Sequence, residues 1–170
     1  MNIIRIDKNN QVNGSGLRCV IWVAGCDHNC PFCHNPETWD YNCGHPLTSE
    51  DAALIYDQLN KEEIDGITIT GGDPLSMRNR DTVGEFCKTL KHLYPNKTIW
   101  VYTGCKYEEL PKYILSSIDV LVDGPYVNDL NPGVGKLKWR GSSNQRIIDV
   151  QKSLKTDRVE LALGFNSLPY

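Results

Sequence analysis

Short segments rich in apolar and β-branched residues alternate along the chain with longer segments that carry apolar residues at helical spacing. The short segments have the length of strands and cover residues 19–24, 66–70, 98–103 and 118–122. A weaker segment of the same kind, at residues 158–163, predicts a last strand. Glycine, proline or aspartate residues follow each of the first four segments, as is typical of strands that end in loops.

Helices are predicted between these strands. Residues 48–59 and 81–94 have apolar residues at helical spacing, and residues 107–116 form a weaker segment that Pro111 should shorten or kink. Thr48, followed three residues later by Asp51, predicts a capping box at the start of the first helix.

Strands that alternate with helices predict a parallel sheet with right-handed crossovers. A closed eight-stranded barrel usually takes about 200 residues or more, and this chain has 170. We therefore predict an α/β fold, an open partial (β/α) barrel of about five to six mainly parallel strands. Residues 1–170 are expected to form a single domain.

Composition and charge exclude several classes of function. Hydrophobic residues make up 40% of the chain, enough for a core, and the net charge is −3. No basic run indicates binding to nucleic acid or to an acidic membrane surface. The first residues lack the apolar core of a signal peptide, and no apolar run reaches membrane-spanning length. We therefore expect a cytoplasmic protein.

The chain has seven cysteines, an odd number that fits a reducing compartment better than a disulfide framework. Cys19 lies in a predicted strand and Cys87 in a predicted helix, where cysteine usually packs as a small hydrophobic residue. Cys43 and Cys105 lie beside glycines in predicted loops, and nothing in their spacing ties them to a site.

The other three cysteines, Cys26, Cys30 and Cys33, follow the first predicted strand in the spacing CxxxCxxC. Gly25 and Pro31 mark this segment as an irregular loop, which can turn three thiolates towards one point. Such a site usually holds zinc or an iron–sulfur cluster. The chain has no second CxxC or HxxxH pair to complete a zinc site, which favours a 4Fe-4S cluster with one iron left without a protein ligand. Zinc stays an alternative, with a fourth ligand from His28, His34 or Cys43.

Each unusual loop follows a predicted strand, and in parallel α/β folds the chemistry collects where the strands end. The loop Gly71–Gly72–Asp73 follows the second predicted strand. Its glycines allow close approach of the backbone to a ligand, and the Asp73 carboxylate suits an ammonium group. A plain turn explains the same residues equally well.

The cysteine spacing, with Phe32 just before the last cysteine, resembles the motif of the radical S-adenosylmethionine (SAM) enzymes. The resemblance implies that SAM binds the open iron of the cluster and is cleaved to a 5'-deoxyadenosyl radical. It implies that Gly71, Gly72 and Asp73 bind the methionine amino group, although the family often has Glu at the last of these positions. It also places Phe32 near the adenine.

Six further segments resemble the activases of glycyl radical enzymes, in particular those that act on anaerobic (class III) ribonucleoside-triphosphate reductases. They are residues 13–18, 33–39, 70–75, 99–104, 122–124 and 139–146, so that the resemblance extends over about residues 13 to 148. One departure is Ser15, where these activases commonly have proline. The resemblance implies a radical SAM fold and transfer of a hydrogen atom from one glycine of the large reductase subunit. It also implies an electron donor such as a flavodoxin or a thioredoxin-type reductant, and a possible homodimer.

The resemblance also suggests roles for residues outside the two loops. It places Asp123 near the SAM carboxylate, Asn144 and Arg146 against SAM or the protein partner, and His34 and Asn35 as supports of the cysteine loop. No nucleophile with a general base and no carboxylate pair for hydrolysis is found.

Three alternatives stay open at this stage. They are an activase of the pyruvate formate-lyase type, a small radical SAM enzyme with a metabolite substrate such as a deazaguanine synthase, and a zinc-stabilised binding module without catalysis. The segment from Trp139 to Gln145 and the lack of further cysteine clusters favour the reductase type. Little chain is left after the SAM loops to build a closed pocket, which favours a protein substrate.

Overall fold

The computed structural model describes residues 1–133 and 135–162, and its centre is a seven-stranded sheet. The strands are β1 (Asn2–Asn10), β2 (Arg18–Val23), β3 (His45–Pro46), β4 (Gly66–Gly71), β5 (Thr98–Tyr102), β6 (Val120–Asp123) and β7 (Arg146–Asp149). Their order across the sheet is β3-β1-β2-β4-β5-β6-β7. The two outermost strands, β3 and β7, do not pair with each other in this part of the chain, so the sheet is open.

The central strands β2, β4, β5 and β6 are parallel, and the outer pairs are antiparallel. The prediction of an open α/β sheet with a mostly parallel centre is confirmed, and the four strand segments predicted between residues 19 and 122 correspond to these four strands. The sheet has seven strands rather than the predicted five to six, because the antiparallel strands β1, β3 and β7 were not predicted.

The predicted strand at residues 158–163 was wrong in the part that the structure describes. Only an isolated bridge joins Leu161 to Ile148 there, and Leu163 lies outside the described residues. The place beside β6 is taken by β7, which pairs with it through four residues, from Arg146 to Asp149.

The helices are α1 (Ser49–Leu59), α2 (Arg80–Leu93), α3 (Lys112–Leu115) and α4 (Val150–Thr156). The predicted capping box of α1 is confirmed: Asp51 N donates to Thr48 Oγ1, and Thr48 N donates to Asp51 Oδ2. Pro111 divides the weaker predicted helix into a 3-10 turn and α3. No helix among the described residues combines the length and the apolar character needed to cross a membrane.

One face of the sheet packs against the helices. Alternate strand residues such as Ile21, Ile69 and Val101 form the main hydrophobic core together with helix residues, which include Ile55, Leu59, Val83, Leu90 and Ile114. Cys19 and Cys87 are buried in this core, which confirms their predicted packing role.

The opposite face is more polar and leads to the site. Arg18, Thr68 and Trp100 lie deep on this face, while Trp22 and Tyr102 lie nearer to the ends of their strands and line a cavity. Because parallel strands all end at the same edge of a sheet, the loops that follow β2, β4, β5 and β6 come together around this cavity.

Candidate metal centre and cofactor cavity

The cysteine loop begins at the end of β2, and its two ends lie next to each other. Gly25 N donates to Thr38 O over 2.7 Å, and Cys26 N donates to Trp39 O over 3.0 Å, so the two ends of the loop are joined at its base. Within the loop, Asn29 and Phe32 adopt left-handed backbone conformations, with φ of 47° and 59°. These conformations are uncommon outside glycine, as is typical of tight turns.

The three thiols of Cys26, Cys30 and Cys33 are partly buried and line one open cavity of about 440 Å³. This volume lies within the usual range for small-molecule sites. Asn35 N donates to Cys33 Sγ over 3.4 Å. Burial raises the pKa of the Cys26 thiol to about 11, so a metal that binds there has to displace a proton.

The spacing of these thiols distinguishes a cluster from a single ion. Two thiolates on one zinc ion lie within about 4.6 Å of each other, because each Zn–S bond is about 2.3 Å long. Among the described residues, three ligand atoms come within 4.8 Å of one another only at His28, Asp73 and Cys105. The three thiols are therefore too far apart to share one ion, and they suit a cluster in which each cysteine binds a different iron.

At the end of β4, Gly71 and Gly72 place backbone atoms without side chains in the wall of the same cavity. Gly71 has a φ of 108°, and a Cβ atom there would lie 2.5 Å from Val23 O, so glycine is required by both conformation and space. Gly72 N donates to Val23 O over 2.8 Å, and Asp73 N donates to Gly25 O over 2.7 Å. These bonds attach the loop to the base of the cysteine loop, and both glycines line the cavity beside the thiols.

Asp73 lies behind these glycines rather than in the cavity wall, and it is only 1% exposed. Its Oδ1 accepts hydrogen bonds from Thr103 Oγ1 (2.7 Å) and Leu75 N (2.9 Å), and its Oδ2 lies 2.5 Å from His28 Nε2. The Asp73 hydrogen bond raises the pKa of His28 to about 10, so His28 is protonated at neutral pH. The carboxylate is satisfied within the protein, and its contact with SAM stays a prediction.

Asn79 links the two loops, and the sequence analysis did not find it. It occupies the N-cap position of α2, yet its side chain does not cap the helix. Instead, Nδ2 donates to Ala24 O over 2.9 Å and to Asp73 O over 3.0 Å. A local pattern predicts at most the cap, because the Ala24 contact joins residues 55 positions apart.

Three other predicted site residues, Phe32, Asp123 and Asn144, do not line this cavity. Phe32 is 75% exposed on the cysteine loop. Asp123 and Asn144, together with Arg146, line a neighbouring cavity of about 610 Å³. Asn144 Nδ2 donates to Pro125 O over 2.8 Å and so supports the loop that follows β6.

Arg146, which the sequence placed against either SAM or the protein partner, forms ion pairs with two carboxylates. Its Nη2 lies 2.5 Å from the buried Asp123 Oδ2 and 2.8 Å from Glu108 Oε2. Tyr107 N also donates to Asp123 over 2.8 Å. Arg146 lowers the pKa of Glu108 to about 2, so this pair stays charged at neutral and mildly acidic pH.

The two carboxylates should differ in their contribution to stability. Asp123 is 1% exposed, whereas the Glu108 side chain is 54% exposed. We expect Asp123→Asn to lower the free energy of unfolding by about 1.5–3 kcal/mol, because a buried charge-assisted bond is lost. Glu108→Gln should cost less than about 1 kcal/mol, as exposed pairs do. Urea denaturation at neutral pH measures both, and equal losses would contradict the assignment.

The late segment closes the far side of the first cavity. Trp139, Arg140, Gly141 and Gln145 line it, and Gln145 Oε1 accepts a hydrogen bond from Gly141 N over 2.8 Å. The rings of His34 and Tyr126 lie 4.7 Å apart and join the cysteine loop to the loop after β6. His34 was predicted to support the cysteine loop, whereas no local sequence pattern indicates Tyr126.

Comparison with known proteins identifies the family. A family model described as a 4Fe-4S single cluster domain matches residues 12–148. Anaerobic ribonucleoside-triphosphate reductase-activating proteins are similar to this chain over most of their length. That of enterobacteria phage T4 is 39% identical over 148 residues (86% of this chain and 93% of the relative), and that of Pasteurella multocida is 40% identical over 155 residues (86% and 96%). That of Escherichia coli K12 is 42% identical over 139 residues (79% and 89%). The chain therefore belongs to the family of anaerobic ribonucleoside-triphosphate reductase-activating proteins and contains a 4Fe-4S single cluster domain.

Proposed function

We propose that this chain is a radical SAM activase that generates a glycyl radical on the large subunit of an anaerobic ribonucleoside-triphosphate reductase. One observation carries the proposal. Three partly buried thiols, too far apart for one ion, line the same cavity as the backbone of Gly71 and Gly72. This arrangement suits a cluster with a small polar ligand beside it.

Cys26, Cys30 and Cys33 would hold the cluster. When bound, it would supply the electron that cleaves SAM, and the resulting 5'-deoxyadenosyl radical would remove a hydrogen atom from the partner glycine. The chain's own residues have other tasks. The hydrogen bonds at Gly25 and Cys26 fix the loop, and Asn79 holds it against the turn after β4. We propose that the open sheet is a partial barrel of the radical SAM type, formed by residues 1–170 as one domain.

For SAM, we propose backbone contacts from Gly71 and Gly72, because both line the cavity beside the thiols. Asp73 lies directly behind them, and the SAM ammonium group would replace His28 as the donor to Oδ2. Phe32, Asp123 and Asn144 stay predictions from the family resemblance, since none of them lines this cavity.

The partner is a protein in this proposal. The cavity is open, bounded by loops rather than by a closed wall, and this shape suits a glycine-bearing loop of the reductase. An electron donor such as a flavodoxin or a thioredoxin-type reductant would be needed, because each cleavage of SAM would consume one electron.

Anaerobic reconstitution tests the proposal. About four iron and about four sulfide per chain are expected. Addition of SAM and a strong reductant should then yield 5'-deoxyadenosine, and addition of the reductase large subunit should give the paramagnetic resonance signal of a glycyl radical. A sample without reductant is the control. Zinc in the three-cysteine loop, or 5'-deoxyadenosine without reductant, would contradict the proposal, and a radical formed only on pyruvate formate-lyase would redirect it.

The Asp73 carboxylate offers a test of SAM binding. If Oδ2 accepts the SAM ammonium group, Asp73→Asn removes a charge-assisted hydrogen bond of roughly 1.5–3 kcal/mol. SAM affinity should then fall by roughly ten- to a hundredfold, because each 1.4 kcal/mol is a factor of ten. The cluster should still assemble, because the three cysteines are unchanged. A SAM titration followed by the paramagnetic resonance signal of the cluster measures the affinity.

Asp27→Asn is the matched control for Asp73→Asn. Asp27 lies in the cysteine loop, is exposed, and accepts a hydrogen bond from the Tyr41 hydroxyl over 2.6 Å. Its loss should leave the SAM titration unchanged. An unchanged titration for Asp73→Asn as well would mean that the carboxylate only supports the turn.

A further inference from the structure

We propose that His28, Asp73 and Cys105 form a second metal site, which binds a single divalent ion of the zinc class separately from the three-cysteine loop. Among the described residues these are the only three side chains whose nitrogen, oxygen and sulfur ligand atoms lie within 4.8 Å of one another. Nε2 of His28 lies 2.5 Å from Asp73 Oδ2, and Cys105 Sγ lies 3.9 Å from the first atom and 3.7 Å from the second. The inference does not depend on SAM cleavage.

The distances suit one tetrahedral ion. Zinc bonds of about 2.0–2.2 Å to nitrogen and oxygen and about 2.3 Å to sulfur separate the ligand atoms by roughly 3.3–3.6 Å. Both sulfur distances lie within a few tenths of an ångström of this range. Only the contact between His28 and Asp73 has to open, by roughly 0.8 Å.

The ligands are oriented by neighbouring groups, as in natural metal sites. The Thr103 hydroxyl and Leu75 N both donate to Asp73 Oδ1, which leaves Oδ2 directed towards His28 and Cys105. The same hydroxyl oxygen accepts a hydrogen bond from Cys105 N over 3.1 Å. Thr103 therefore positions two of the three ligands.

The fold brings these ligands together from the ends of three neighbouring parallel strands. His28 follows β2, Asp73 follows β4, and Cys105 follows β5. Gly104 makes room for the imidazole, because a Cβ atom there would lie 2.4 Å from His28 Cδ2. His28 and Thr103 line the first cavity, so an ion can enter from it and water can take a fourth position.

The donor set selects the class of ion. One imidazole, one carboxylate and one thiolate suit zinc and similar transition metals, whereas magnesium and calcium prefer oxygen ligands alone. The ion would take Asp73 Oδ2, the same oxygen that the proposed function assigns to the SAM ammonium group. Metal and SAM would then compete for this position.

Cobalt(II) serves as a visible probe for zinc. The full chain with Cys26, Cys30 and Cys33 replaced by alanine is titrated anaerobically, so that the cluster ligands cannot bind the probe. About one cobalt per chain should bind, with the absorption of a tetrahedral ion and a thiolate-to-cobalt charge-transfer band. Cys105→Ser should abolish that band, and Thr103→Val should weaken binding by roughly ten- to a hundredfold. Cys43→Ala is the control and should change nothing.

The reconstituted holoprotein gives a second measurement, which decides the matter if the triple variant does not fold. Zinc is added and loosely bound metal is removed by dialysis, after which about one zinc per chain should remain. Cys105→Ser should remove the zinc and leave the iron content unchanged. No bound cobalt or zinc, or binding that survives Cys105→Ser, would overturn the site. Neither result bears on SAM cleavage, which is measured separately.

Discussion

Single replacement of Cys26, Cys30 or Cys33 by alanine is expected to abolish formation of 5'-deoxyadenosine. Each thiol is proposed to bind a different iron, and the described residues place no other cysteine in the wall of that cavity. Loss of one thiolate therefore leaves an iron without a protein ligand. The iron content after anaerobic reconstitution should fall together with the activity.

Cys43→Ala is the matched control for these three variants. Cys43 is also a free and partly buried cysteine close in sequence, but it lies outside the cavity. Its replacement should leave both the iron content and the 5'-deoxyadenosine yield unchanged. Full activity after loss of Cys30 would contradict the assignment of the cluster ligands.

Replacement of Arg18 by methionine should lower the free energy of unfolding by about 3 kcal/mol. Arg18 is completely buried, and burial lowers the pKa of its guanidinium to about 10. It donates to the Thr68 hydroxyl and to the Thr98 hydroxyl and carbonyl. It also donates to Ser15 O and Ile67 O, with all these bonds between 2.7 and 3.0 Å. Methionine fills much of the space but leaves these buried acceptors without their donor, which outweighs the desolvation that it saves.

Thermal unfolding measures this loss. For a chain of this size about 3 kcal/mol corresponds to a fall in Tm of roughly 6–12 °C. The control is Arg5→Met: Arg5 packs over the Trp22 ring at 3.9 Å, but its ion pair with Asp7 is exposed. It should cost less than about 1 kcal/mol. Equal losses for the two variants would show that the buried hydrogen bonds of Arg18 contribute little.

The Arg18 variant also connects stability to the cavity. The Thr68 hydroxyl, which accepts from Arg18 Nε, donates to Asn13 O over 2.6 Å. Val12 and Asn13 form part of the cavity wall. Loss of Arg18 should therefore loosen this wall before the whole sheet unfolds.

Local pattern was sufficient for the centre of the fold. The four parallel strands and the helices α1 and α2 are long or strongly apolar, so their periodicity reveals them. The capping box at Thr48 was equally clear, because it depends on two residues of one helical turn.

The antiparallel strands could not be predicted in this way. In β1 only Ile3 is fully buried, and most of the other residues are polar, while all of them are partly or fully exposed. In β7 only Ile147 and Ile148 are buried, so that the segment at 158–163 looks more like a strand than β7 does. β7 pairs with β6 and the segment at 158–163 does not, because β6 has only one free edge and β7 comes first along the chain.

The site shows the same division. Cysteine spacing and the glycine pair identified the loops, because each motif is local. The contact of His28 with Asp73 joins residues 45 positions apart, and the contact of Asp73 with Cys105 joins residues 32 apart. Such distant contacts cannot be predicted from a short stretch of sequence. They follow from the order of β2, β4 and β5 in the sheet.

The open sheet leaves two edges that differ in how readily another molecule could extend them. The outer edge of β7 is covered, since Asp149 N donates to Glu160 O and Ala162 N donates to Ile147 O. On its outer edge β1 pairs with β3 only through Asn2 and Ile3, so the rest of that edge has no strand beside it among the described residues. Free strand edges promote aggregation, and charged side chains oppose it. Arg5, Asp7 and Lys8 supply such charges, and neutralising the exposed Lys8 should reduce solubility.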